Sequence, residues 1–171
     1  MIPGWVDLQV NGFKGVDFSS PDLTLRDIDS VSAQLLQQGV VGSCPTLISS
    51  KLEVYKHNLP LIAEASKSKS GSQILGIHLE GPFINPENGA RGVHPENCIL
   101  LPSIELFEKF RSWAQEKVVL LTLAPERKGA IELIKHIVST SSIVVSIGHH
   151  AASKEIIKEA VDAVGRAATD V

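Results

Sequence analysis

The 171-residue chain has few cysteines and no long apolar segment. Cys44 and Cys98 are its only cysteines, and neither belongs to a CxxC pair, so we expect two reduced thiols rather than a disulfide framework. No apolar run approaches the roughly 20 residues of a membrane-spanning helix. The first residues lack the basic and apolar regions of a signal peptide. These absences predict a cytoplasmic protein that makes no membrane contact.

The chain also lacks an excess of either charge. Its formal net charge is -3 and no cluster of Lys and Arg stands out, which argues against a nucleic-acid partner. Hydrophobic residues make up 43% of the chain and charged residues 20%, an ordinary balance for a folded protein, so a disordered chain is excluded. This length supports one sizeable core, and we predict a single domain over residues 1–171.

Apolar strand segments alternate with amphipathic helical segments along the chain. The predicted strands are residues 5–10, 40–47, 74–80, 118–123 and 143–149, and a predicted helix follows each one, at 24–38, 50–65, 103–116, 130–139 and 153–164. Capping-box spacing marks the helix starts at Thr24 and Ser50. Strict alternation predicts a parallel sheet with right-handed crossovers. Five βα units fit either part of a (β/α)8 barrel or an open, doubly wound, flavodoxin-like sheet.

Several predicted strands end in side chains that can bind a metal ion or a substrate. The strand before Glu80 is apolar, and a carboxylate at the end of a buried strand is costly unless a cation pairs with it. His149 ends the fifth strand, and Gln9 and Asn11 end the first. The carboxyl ends of parallel strands meet at one edge, where such folds keep their active sites. His78 shares a strand face with Glu80 and is either an orienting partner or a satisfied core histidine.

Other features have plainer interpretations. The segment 83–102 is long for a loop in a compact domain, which favours a functional role. Glu126 follows a strand end, where we favour a structural ion pair. His150 is interpreted as a pocket or surface residue and Cys44 as a core residue. The glycines after the first strand do not form GxGxxG, which argues against a nucleotide-binding fold.

Six short blocks occur in one order along the chain. They are DLQVNG at 7–12, PTL at 45–47, HLEGPF at 78–83, RGVH at 91–94, TLAPE at 122–126 and VSIGH at 145–149. Together they resemble the N-acetylglucosamine-6-phosphate deacetylases of the amidohydrolase superfamily. The resemblance implies a (β/α)8 barrel of the TIM type that hydrolyses the acetamide of N-acetylglucosamine-6-phosphate to glucosamine-6-phosphate and acetate, usually as a homodimer.

The resemblance also implies roles for single residues. Glu80 matches the carboxylate metal ligand of the family, and His149 matches its first imidazole ligand. Val93 and His94 stand where the family contacts the sugar. Gln9 and Asn11 replace the HxH pair of many amidohydrolases, which implies one divalent metal ion. As neutral donors, both amides are expected to contact the substrate, with turn-stabilising hydrogen bonds as the alternative. Zinc is the favoured ion, and iron, manganese and cobalt are alternatives.

The chain departs from the family pattern at its end. The second imidazole ligand, the general-base aspartate and the residues that bind the phosphate are expected beyond Val171, so no catalytic residue is assigned. Barrel units 6–8 and the β-sandwich domain are expected to be absent, and a homodimer or another chain is expected to cover the open barrel. We therefore expect the isolated chain to be inactive. The alternative is a non-catalytic α/β remnant that binds a metal or a sugar phosphate and acts through partner contacts.

Overall fold

The computed structural model describes residues 4–68 and 70–167. Its main feature is a curled, parallel sheet whose strands lie in the order β1 (Trp5–Val10), β4 (Val40–Ile48), β6 (Ile77–Glu80), β7 (Val118–Leu123) and β8 (Val144–Ile147). The short β5 (Gln73–Ile74) also pairs with β4, and β2 (Gly12–Phe13) and β3 (Val16–Asp17) form an antiparallel hairpin behind β1.

Five helices follow the main strands. They are α1 (Leu25–Gln37), α2 (Leu52–Ala65), α3 (Ile104–Trp113), α4 (Ala130–Thr140) and α5 (Lys154–Ala167). Successive helices pack side by side, α1 on α2, α2 on α3 and α4 on α5. The strands lie in chain order, whereas a doubly wound sheet reverses its strand order at a switch point. The flavodoxin-like alternative is therefore wrong, and the parallel alternation of strands and helices is confirmed.

The two faces of the sheet differ in chemistry because successive strand residues point to opposite sides. Leu47, Leu79 and Leu121 are fully buried and belong to the core that the helices cover. The other face of the same three strands carries buried polar side chains, among them Thr46 and His78. The apolar face holds the fold together, and the polar face is available for a site.

His78 is a satisfied core histidine, which resolves the alternative left open by the sequence. The Thr46 hydroxyl donates to the Cys44 carbonyl at 3.0 Å, so its oxygen accepts from His78 Nδ1 at 3.2 Å. His78 Nε2 then accepts from the Thr122 hydroxyl at 2.8 Å. Burial lowers the pKa of His78, which keeps the ring neutral. The residue ties β4, β6 and β7 together and forms no hydrogen bond with Glu80.

The helix and strand ends agree with the predictions in most places. The Thr24 capping box is present, with Asp27 as its partner. The second predicted capping box is wrong: α2 begins after Lys51, which forms no side-chain capping bond, and Ser50 Oγ donates to the Ile48 carbonyl instead. The hairpin of β2 and β3 was not predicted from the sequence.

Both cysteines are buried and unpaired, as predicted. In the described ranges, no helix combines the length and apolarity needed to cross a bilayer.

Candidate metal and substrate site

The candidate site lies where the carboxyl ends of β1, β6 and β8 meet. Glu80 is the last residue of β6, and His149 follows β8 by two residues. Gln9 lies in β1 and Asn11 directly follows that strand. With His94 from the loop after β6, these side chains line an open cleft of about 410 Å³. The structure thus brings Glu80 and His149 to the same rim of the sheet.

Glu80 is held by two neutral amides. Gln9 Nε2 donates to Glu80 Oε1 at 3.0 Å, and Asn11 Nδ2 donates to Oε2 at 3.0 Å. Burial alone would raise the pKa of Glu80, but its contacts with His149 and Asn11 outweigh burial, and the pKa lies below its usual range. The amides orient the carboxylate without neutralising it, so a full negative charge faces the cleft.

His149 presents an unusual contact to this carboxylate. Its Nδ1 lies 3.0 Å from the Ala90 carbonyl, which can only accept, so Nδ1 carries a proton. The other ring nitrogen, Nε2, lies 3.0 Å from Glu80 Oε1. A lone pair and a carboxylate oxygen at this distance need a cation between them, either a proton or a metal ion. In the described part of the chain, no Lys or Arg forms an ion pair with Glu80.

The side chains at this point offer ligand atoms that suit a divalent metal ion. A carboxylate oxygen and an imidazole nitrogen are ligands that zinc, iron and manganese accept. One ring nitrogen of His94 joins them, and the three donor atoms lie within 4.8 Å of one another. The fit rests on His149 Nε2, which the hydrogen bond from Nδ1 to the Ala90 carbonyl directs toward Glu80.

His94 differs from His149 in the position of its proton. Its Nδ1 accepts the backbone N–H of Ser49 at 3.2 Å, so in the neutral ring the proton sits on Nε2. Burial and then the neighbouring His149 lower the pKa of His94 to about 4, which keeps the ring neutral near pH 7. A protonated Nε2 donates a hydrogen bond and does not ligate a metal. These hydrogen bonds therefore favour His94 as a hydrogen-bond donor next to Glu80 and His149, and not as a third metal ligand.

The remaining predicted residues lie at or near the same cleft. Val93 is 87% exposed and lines the cleft, and its predicted contact with substrate stays a prediction. His150 is not part of the metal-binding group, and its Nδ1 accepts the Ala152 N–H at 3.1 Å. Sequence reasoning missed Asp17 and Ile48, which also line the cleft. Asp17 reaches it through the unpredicted hairpin.

The predicted ion pair of Glu126 is wrong. Among residues 4–68 and 70–167 it forms no salt bridge, and its Oε1 instead accepts hydrogen bonds from Asn85 and from the Ala151 backbone. Sequence could not indicate these partners, because one is a backbone group.

Comparison with known proteins shows that this chain is similar to one group of enzymes. No protein-family model matches the chain. The N-acetylglucosamine-6-phosphate deacetylase of Caenorhabditis elegans is 40% identical over 158 residues, which are 88% of this chain and 37% of that protein. The N-acetylgalactosamine-6-phosphate deacetylase of Escherichia coli O157:H7 is 30% identical over 166 residues, 95% of this chain and 42% of that protein. The chain thus spans about two fifths of the length of these relatives.

Solved structures show the same similarity. The N-acetyl-D-glucosamine-6-phosphate deacetylase of Mycobacterium smegmatis superposes with a TM-score of 0.84 at 26% identity and covers 94% of this chain and 44% of its own. A variant of that enzyme in complex with N-acetyl-D-glucosamine-6-phosphate superposes with a TM-score of 0.80 at 27% identity, covering 94% of this chain and 40% of its own.

Proposed function

This chain is a relative of the N-acetylglucosamine-6-phosphate deacetylases, and on that premise we propose that residues 1–171 form the first five βα units of a (β/α)8 deacetylase barrel. The strand order supports this assignment, because five parallel strands in chain order make up a curled half-barrel. The proposed activity is the metal-dependent hydrolysis of an N-acetyl amino-sugar 6-phosphate to the free amine and acetate.

Glu80 and His149 are the proposed ligands of one divalent ion, with zinc favoured. The observation that carries this proposal is that a carboxylate oxygen and an imidazole nitrogen, Glu80 Oε1 and His149 Nε2, converge to 3.0 Å at the open cleft. Such an ion polarises an amide carbonyl and lowers the pKa of water. The chain's own contribution is to direct two ligand atoms at one point and to leave that point open to the cleft.

The neighbouring side chains have separate proposed tasks. Gln9 and Asn11 keep the carboxylate of Glu80 in one orientation through their amide donors. The Nε2–H of His94 donates to the acetyl oxygen of the substrate, because Ser49 holds its other nitrogen as an acceptor. Val93 lies at the exposed rim, where a sugar ring enters. The general-base aspartate that the resemblance implies is not among these residues, and general-base catalysis contributes roughly 10²–10⁴ in rate, so residues 1–171 by themselves are proposed to be inactive.

The proposed substrate class is the 2-acetamido sugar 6-phosphates. One relative is named for the glucosamine compound and another for the galactosamine compound, so the class is better supported than either epimer. We propose a cytoplasmic protein whose open sheet is covered by a second copy or another chain. Trp5 and Leu8 on β1 and Val144 on β8 support this, since they are 76%, 57% and 61% exposed on the two terminal strands of the sheet order.

Zinc binding to the purified chain tests the metal assignment. The metal-stripped chain is titrated with zinc against a chromogenic chelator, with Glu80→Gln as the test variant and Glu87→Gln as the matched control. Glu87 is an exposed carboxylate on the loop that follows Glu80, and it lies outside the metal-binding group. We expect one zinc ion per chain in the wild type and the control, and loss of this binding in Glu80→Gln, which keeps the shape but removes the charge.

Addition of N-acetylglucosamine-6-phosphate is expected to slow the transfer of zinc from the chain to the chelator, because the sugar covers the cleft. Equal zinc binding by Glu80→Gln and Glu87→Gln would contradict the proposed ligand set. Zinc binding without any effect of the sugar phosphate would contradict the substrate class and favour a metal-binding remnant.

A further inference from the structure

Glu126 connects the two segments that carry the proposed metal ligands. It follows β7 and lies between the loop after β6 and the loop after β8. Its Oε1 accepts the Ala151 backbone N–H at 2.7 Å and the Asn85 amide Nδ2 at 2.8 Å. Ala151 comes two residues after His149, and Asn85 comes five residues after Glu80. One oxygen atom therefore joins both segments.

Asn85 extends this connection to the backbone of His149. Its N–H donates to the His149 carbonyl at 3.0 Å. Its Oδ1 accepts the Glu87 N–H at 2.7 Å, which fixes the orientation of the side-chain amide and directs Nδ2 at Glu126. The chain of contacts from Glu126 through Asn85 to His149 is thus made of hydrogen bonds with defined donors.

The backbone of His149 requires such support. Its φ of 51° lies in the left-handed region, which residues other than glycine seldom adopt unless their surroundings hold them there. Gly148 N–H donates to the Leu123 carbonyl just before His149, and Glu126 holds Ala151 just after it. These hydrogen bonds hold the backbone on both sides of His149.

We infer that Glu126 is a positioning residue: its Oε1 clamps the β6 and β8 loops together so that His149 Nε2 and Glu80 Oε1 face one metal ion. The inference rests on the proposed function, since it assigns a task relative to that ion. Glu126 itself does not line the cleft, so it acts only through Asn85 and Ala151.

The state of the carboxyl group agrees with this task. Burial alone would raise the pKa of Glu126, but the hydrogen bonds from Ala151 and Asn85 outweigh it, so the pKa lies below its usual range. The second oxygen, Oε2, is buried without a hydrogen-bond partner in the described part of the chain. Glutamine has the same length and keeps an oxygen that can accept from both donors, whereas aspartate is one methylene shorter and cannot reach both donors.

Two substitutions of Glu126 separate the effect of side-chain length from the effect of charge. In a zinc titration of the metal-stripped chain, we expect Glu126→Gln to keep the wild-type affinity. Glu126→Asp is expected to weaken zinc binding by roughly 10–100-fold, the usual effect of losing a group that orients a ligand. The matched control is Glu108→Asp, which shortens a carboxylate that bonds to His136 and Arg111 on the helical layer. The control is expected to bind zinc as the wild type does. Any other pattern, including retention in Glu126→Asp or loss in Glu126→Gln, overturns the inference.

Hydrogen exchange provides a readout that needs no metal. In the metal-free chain, the Ala151 amide should exchange faster in Glu126→Asp than in the wild type, Glu126→Gln or Glu108→Asp. Equal exchange in all four proteins overturns the clamp even if zinc affinities differ. If the wild-type chain binds no zinc, the proposed function fails, and the exchange comparison still decides whether Glu126 holds the loop.

Discussion

At the scale of single residues, the proton positions on two histidines give them different chemistry. His149 donates from Nδ1 to a carbonyl and directs its Nε2 lone pair at Glu80. His94 accepts at Nδ1 from the Ser49 N–H, so its proton lies on Nε2. Both rings lie in one cluster, with centroids 4.4 Å apart. Distance alone would make both of them ligands, whereas the hydrogen bonds make only His149 a suitable one.

The contrast predicts different metal contents for two glutamine variants. His94→Gln is expected to retain one zinc per chain after dialysis, because a donor has been replaced by another donor. His149→Gln is expected to lose the zinc, because an imidazole ligand is gone. Elemental analysis measures both, and His57→Gln on α2 serves as a control outside the cluster. Loss of zinc from His94→Gln to the same extent would show that His94 is a ligand.

Part of this site could be predicted from sequence because polar residues at strand ends meet at one edge of a parallel sheet. From the sequence alone, that rule predicts that Gln9, Asn11 and Glu80 lie close together. It could not predict the hydrogen-bond partners of His94 or Glu126. The state of His94 depends on a backbone N–H that is 45 residues away, and Glu126 bonds to a backbone N–H that is 25 residues away. Such contacts follow from loop paths, which carry no periodic signal.

At the scale of elements, two segments with capping-box spacing differ in the structure, since only one of them caps a helix. Thr24 and Asp27 form both bonds of a capping box at the start of α1. Ser50 and Glu53 have comparable spacing, yet Ser50 lies two residues beyond the end of β4, where its hydroxyl donates to the Ile48 carbonyl at 3.0 Å. Tyr55 donates to the same carbonyl at 3.1 Å. Tertiary contacts at the strand end overrode the local capping preference, which a spacing rule does not include.

The missing cap of α2 predicts a stabilising substitution. Lys51 has extended N-cap dihedrals but no side chain that accepts from the first turn, and its positive charge opposes the helix dipole. Lys51→Asp is expected to raise the free energy of unfolding by about 1 kcal/mol. Urea denaturation measures the change. Lys56→Asp, an exposed position inside the same helix, gives the same charge change without a cap and should not stabilise. A gain of equal size in both variants would contradict the capping argument.

At the scale of the whole molecule, the strand order explains both the site and the exposed surface. Strands in chain order place every helix in one layer, so the opposite face of the sheet is free to hold polar groups such as His78 and Glu80. The same order leaves β1 and β8 as terminal strands with exposed apolar side chains. Periodicity predicted the alternation of strands and helices, but it could not predict that the sheet curls, because curvature arises from strand pairing and register.

Acid should destabilise the molecule through carboxylates in two separate regions. Glu108 lies on the helical layer and Glu126 at the sheet edge, and the pKa of each lies below its usual range because hydrogen bonds outweigh burial, which alone would raise it. The unfolded chain therefore takes up protons on these groups at a higher pH than the folded chain does. The stability that these carboxylates contribute is fully present above the ordinary carboxyl pKa of about 4.3 and is lost as the pH falls through the lowered values.

Urea unfolding of the metal-free chain should give midpoints that decrease below about pH 4.5, and Glu108→Gln should make that decrease smaller. Glu87→Gln, at an exposed position on the loop after β6, should leave the slope unchanged. A midpoint that stays constant or rises on acidification would refute this account, because folding would then release no protons from these carboxyl groups.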